Sequence, residues 1–167
     1  MCIYLGTPEH YCIAGLSDYK AFLRHVHLLV QPGDFLSFGY ECDREGERKR
    51  PDIREFFERH QLPPDKWVLE DLKKFALWPE DHPGAFAVRW PFDPSLLRQL
   101  GDLLQDSVAS YELCDHVMGY GPRGAMFCFH DAFYGGTLRI STRVPQAQVA
   151  EFCGLMGLSY EISDREA

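Results

Sequence analysis

Apolar residues along this chain switch between two spacings, and each switch marks a predicted element. "YCIAGL" (11–16) reads as a short strand, and Ser17 after it suits a helix N-cap. Tyr19, Phe22, Leu23, Val26, Leu29 and Val30 then recur at helical spacing until Pro32 and Gly33 stop the helix. Leu36, Phe38, Tyr40 and Cys42 alternate, which predicts a strand with one apolar face. Pro51 fits the first position of a second helix, with Ile53, Phe56, Phe57 and His60 on one side. A third helix is expected from Trp67 to Trp78. "WPEDHPG" (78–84) follows, and its prolines, glycine and acids make it the clearest internal boundary.

Beyond that boundary the alternation is more regular. "AFAVRW" predicts a strand with Phe86, Val88 and Trp90 on one face. Asp93 and Pro94 form a helix start, and Leu96, Leu97, Leu100, Leu103 and Leu104 supply the apolar stripe. "SVASYELCDHVM" and "AMFCFHDAF" read as two strands around a glycine-rich turn, with "TLRIST" continuing or folding back from the second. Pro145 opens a helix bearing Val149, Phe152, Cys153 and Met156. Gly157 closes it, and "LSYEIS" is the last strand.

The order β-α-β-β-α-β over 84–167 predicts an α+β fold of the ferredoxin-like, split β-α-β kind. Residues 1–78 are expected to form an N-terminal α/β portion (strand, helix, strand, two helices) packed against it, the whole being one compact unit. "VRWP" (88–91) and "TRVP" (142–145) echo each other, each placing a strand end, an arginine and a proline before a helix. Four residues are too few to establish a duplication.

Charge narrows the functional classes. The formal net charge is −8 with a pI near 5.3, and the one dense basic run, Arg44 to Arg50, is interrupted by two glutamates. A nucleic-acid surface needs a basic face to release counterions, so no nucleic-acid partner is expected. An acidic surface does suit a basic protein partner, because complementary charge steers encounter. No apolar run approaches the ~20 residues that span a bilayer. The N-terminus lacks the basic start and apolar run of a signal peptide. A cytoplasmic protein without membrane contact is the expectation. The six cysteines include no CxxC spacing and are read as thiols.

Candidate chemistry concentrates in "ELCDHVMGYGPRGAMFCFHDAFYGG" (112–136), where the Cys-x-His spacing occurs twice. A turn centred on Gly121 would set Met118 opposite Gly124, His116 opposite Met126, Cys114 opposite Cys128 and Glu112 opposite His130. In that register Cys114, His116, Cys128 and His130 share one face, and two thiols with two imidazoles are a donor set that zinc prefers. The same face offers Cys128, His130 and Glu112 as nucleophile, base and orienting carboxylate for a thiol catalyst. A one-residue slip would scatter the set. "GYGPRG" reads as the hairpin turn. His25 and His27, two apart on a helix, point to different sides and do not chelate together. No nucleophile elbow, HExxH, Walker loop or GxGxxG occurs.

The leading expectation is a non-enzymatic binding or inhibitory module, of the immunity type, acting through protein–protein contact. One alternative is a small metal-binding or thiol-dependent enzyme using the 112–136 hairpin. The other is a small-ligand-binding regulatory domain.

Overall fold

The computed structural model describes residues 5–40, 50–63, 86–104, 116–129 and 136–164. Helices pack on a seven-stranded antiparallel sheet. The strands are β1 (His10–Ile13), β2 (Phe35–Tyr40), β3 (Phe86–Pro91), β4 (His116–Gly121), β5 (Gly124–Phe129), β6 (Leu138–Ser141) and β7 (Glu161–Ser163), in the order β3-β2-β4-β5-β6-β1-β7. The described helices are α1 (Tyr19–His25), α2 (Pro51–His60), α3 (Pro94–Leu103) and α4 (Gln146–Met156). A short 3-10 turn, Val26–Leu28, extends α1. The predicted helix over 67–78 and the boundary at 78–84 lie outside the described residues.

The class is α+β as expected, but the sheet is larger than a ferredoxin fold and its order differs. Split β-α-β units are present with other strands inside them. β3 and β4, joined through α3, run in the same direction with β2 between them. β6 and β7, joined through α4, do likewise around β1. The N-terminal strands are thus woven into the sheet rather than stacked against it. Periodicity reports which face a strand buries, not which neighbour it pairs with, so this weaving leaves no mark on the pattern. The "VRWP" and "TRVP" segments each lead from the first strand of such a unit toward its helix.

The helix caps follow local chemistry. Asp18, not Ser17, caps α1: its carboxylate accepts from the Ala21 N–H at 2.8 Å. Asp93 caps α3 by accepting from the Ser95 N–H at 2.7 Å, with Pro94 in the first turn. Gly157 ends α4 in the left-handed region at φ 66°, and the next N–H, of Leu158, reaches back to the Cys153 carbonyl at 2.9 Å.

The core lies between the helices and one face of the sheet. Val88, Phe38, Val117, Phe129, Leu138 and Ile13 form one row across six strands, all buried. Phe22 of α1 meets Phe127, Phe129 and Phe152 with centroids 5.3–6.3 Å apart in edge contacts. Such pairs add ~0.5–1.5 kcal/mol each beyond their buried area. Trp90 sits among Phe38, Phe56 and Phe57 under α2, and His60 stacks at the edge of that group.

Candidate functional site

The hairpin of β4 and β5 resolves the register on which the sequence-based site depends. Met118, not Cys114, stands opposite Cys128, and Val117 stands opposite Phe129. The turn is only Pro122-Arg123, because Gly119 and Gly121 belong to β4. Gly124 takes φ 107°, which a side chain would resist, and the pairing then skips one residue on β5 before Phe127. Gly119 has a packing reason instead: a Cβ there would lie 2.2 Å from the Phe127 ring and 2.7 Å from Val30. Gly119 therefore serves close approach, not the turn that its place in "GYGPRG" suggests.

His116 and Cys128 do share the face turned away from the helices, as diagonal neighbours. Cys114, Glu112 and His130 lie outside the described residues. One row on this face runs Arg89, Ser37, Met118, Cys128, Arg139, Cys12, Glu161 across all seven strands. Its centre is closed: Cys128 is 0% and His116 4% exposed. Leu5 packs here with Met118, Tyr120, Ala125 and Cys128. Arg143 fixes that arrangement, donating from Nη1 to the carbonyls of Leu5 and Ala125 at 3.1 and 3.2 Å. Cys12, Cys128 and Cys153 are not in disulfides, and burial pushes the Cys153 thiol up from its ordinary pKa. Among the described residues no group of three or more His, Cys, Asp or Glu is placed to hold a metal ion. A thiol nucleophile also needs an approach path, and the Cys128 sulfur is sealed.

The same face carries a perturbed histidine at its other end. His10 is buried between Ser141 and Ser163 on the flanking strands. Burial, then the positive charge of Arg139, holds its pKa below 6.5.

An open site lies on the opposite side of the molecule, between α1 and α3. The cleft measures about 410 Å³. Leu23, Phe92, Pro94 and Leu97 give it an apolar floor, and Gly101 leaves part of one wall without a side chain. Lys20, Arg24, His27 and Arg98 stand around it against one acid, Asp102. Helical spacing explains the assembly. Lys20 and Arg24 lie one turn apart on α1, His27 follows Leu23 by four residues in the 3-10 turn that extends α1, and Arg98 and Asp102 lie one turn apart on α3. His27 is oriented by its Nδ1, which donates to the Arg24 carbonyl at 2.9 Å, because a carbonyl can only accept.

None of these side chains figured among the sequence-derived site candidates. The available signal was a sign reversal: "YKAFLRHVH" (19–27) holds three basic groups besides Lys20 and no acid, within a chain of net charge −8. That the second wall would come from α3 depends on tertiary packing.

Among the described residues no helix is long and apolar enough to cross a membrane. No protein-family model matches the chain, and no match was found among curated proteins or solved structures.

Proposed function

We propose that this protein is a non-enzymatic binding module whose working surface is the cleft between α1 and α3. One observation carries the reading: a cleft of about 410 Å³, open to solvent, with an apolar floor and an edge of Lys20, Arg24, His27 and Arg98 against one acid. Small-molecule sites are commonly concave, mostly apolar pockets of ~300–1,000 Å³ with a few polar groups for orientation. The closed sheet face has the more reactive side chains but offers no comparable opening at Cys128. Of the functions the sequence suggests, the small-ligand-binding domain gains most from this geometry.

Fragment screening by NMR tests the reading. Shift changes should cluster on residues 20–27 and 92–102. Hits confined to the hairpin, or none from a broad library, would sink it.

The net charge of −8 supports a second reading, in which the wider acidic surface meets a basic protein as an inhibitory or immunity-type module would. Such a partner is repelled by the cleft's own cations and would bind elsewhere. Its complex should therefore form without shift changes at residues 20–27 and 92–102. The zinc-binding or thiol-enzyme reading of the 112–136 hairpin rests on His116 and Cys128 sharing a face. Metal analysis of untagged protein decides its metal form, and less than about a tenth of an equivalent of zinc rules that form out.

A further inference from the structure

We infer that the cleft takes a small amphiphilic anion, an apolar body bearing one carboxylate, sulfonate or phosphate group, and that Gly101 is the opening that admits it. The inference rests on the cleft being the binding site.

The head group follows from Arg24 and Arg98. Both are exposed cleft residues, and neither forms an ion pair with a described residue, although Asp102 is one turn from Arg98. A guanidinium presents a planar fork of donors that matches oxyanions. The chain's net negative charge does not cancel this pull. At physiological salt, exposed charges are screened beyond ~8 Å, so the local cations dominate inside the cleft. Phe92, Leu23 and Leu97 below them call for an apolar body rather than a bare inorganic ion.

The size follows from the walls. α1 is seven residues long, about 10 Å of helix. A single-ring or short-chain acid fits within that length, and the cleft's volume of about 410 Å³ lies near the lower end of small-molecule sites, ~300–1,000 Å³.

Gly101 has no backbone reason to be glycine: it lies within α3, and its φ is not in the left-handed region. A Cβ built there meets nothing within 4 Å. Glycine is a poor helix former, and nearly any other residue would suit α3 better. What glycine provides is room, since a longer side chain at 101 would occupy the cleft.

The experiment uses two fluorescent probes with one aromatic body: anilinonaphthalene sulfonate, and neutral phenylnaphthylamine. Each is titrated into the wild-type chain, Gly101→Leu, and the double variant Arg24→Gln/Arg98→Gln. The sulfonate should bind saturably at one site, about tenfold or more tighter than the neutral probe. Gly101→Leu should weaken both probes about tenfold while its urea midpoint stays at or above wild type, so that misfolding is not the cause. The double variant should weaken the sulfonate about fivefold or more and leave the neutral probe within about twofold. Equal binding of the two probes, both lost in Gly101→Leu, would overturn the anion assignment and leave the cleft as a binding site. Absence of binding, or binding unchanged in Gly101→Leu, would overturn the cleft itself.

Discussion

Two glycines show how differently this molecule treats its two candidate regions. At Gly119, in the hairpin that gathers sulfur and imidazole, the space for a methyl is already taken by Phe127 and Val30. At Gly101, on the wall of the α1–α3 cleft, the same methyl would touch nothing. Chemical reactivity and physical access have been assigned to different places. Among the described residues, the thiol of Cys128 and the imidazole of His116 sit in a filled interior, and the open cleft is lined by charged and apolar side chains.

The largest test of that contrast is Gly119→Ala. Overpacking a filled core commonly costs ~1–3 kcal/mol, and a 2.2 Å approach to an aromatic ring belongs at the upper end. A loss of about 3 kcal/mol in urea unfolding is expected. Adding Phe127→Leu should recover part of it, because the ring is the nearest obstacle. A neutral Gly119→Ala would mean that the hairpin is looser than its packing indicates.

The second test acts on the same closed face through pH. The folded chain holds His10 below 6.5, so the unfolded chain takes up that proton first as the solution is acidified. The stability from keeping His10 neutral is full above about pH 6.5 and declines below it. The slope can reach ~1.4 kcal/mol per pH unit until the folded histidine itself is protonated. Urea midpoints between about pH 5 and about pH 8 should show this decline, and His10→Gln should flatten it. Asp52, whose carboxyl Arg50 holds below its ordinary pKa, acts in a lower window and does not mimic the effect. A wild-type chain with no slope below about pH 6.5 would show that His10 exchanges protons freely despite its burial.

These cases also mark how far the sequence could be read. Strand faces were legible, because alternation in Phe127 and Phe129 or Leu36 and Phe38 records burial directly. Most helix starts were legible too, since a cap such as Asp93 is a local interaction. Neighbour order in the sheet was not, because β1 pairs with strands more than a hundred residues away and β2 with strands about fifty and about eighty residues away, and no local rule selects them. The hairpin register failed for a narrower reason. Gly119, Gly121 and Gly124 look alike in sequence, but the first makes room for a ring and the last supplies a positive φ. The cleft leaves no mark on the sequence, because it is a relation between two helices. Lys20, Arg24 and Arg98 read singly are an ordinary solvated face.

A third test weakens the cleft without touching its lining. Asp93 accepts from the N–H groups of Ser95 and Leu96, at 2.7 and 3.4 Å, at the start of α3. Asp93→Ala should cost about 1 kcal/mol of stability, as loss of a helix cap does. Pro94 and Leu97 lie in the turn that frays, so sulfonate-probe affinity should fall as well. Asp93→Asn keeps an acceptor for those amides and should restore most of both. If Asp93→Ala loses stability but binds the probe like wild type, the first turn of α3 contributes nothing to the cleft.

The smallest expected effect is the most discriminating, because it repeats the first substitution in the other region. Gly101→Ala adds one methyl to a helix wall with open space beyond it. Alanine exceeds glycine by ~0.5–1 kcal/mol inside a helix, and position 101 is near the end of α3, so a gain of about 0.5 kcal/mol is expected in urea unfolding. The methyl shortens the opening only slightly, so probe affinity should drop by no more than about threefold, against about tenfold for Gly101→Leu. A graded loss of binding alongside unchanged or rising stability is what an aperture predicts. A glycine kept for packing predicts the reverse, with stability falling at the first added carbon as it should at Gly119.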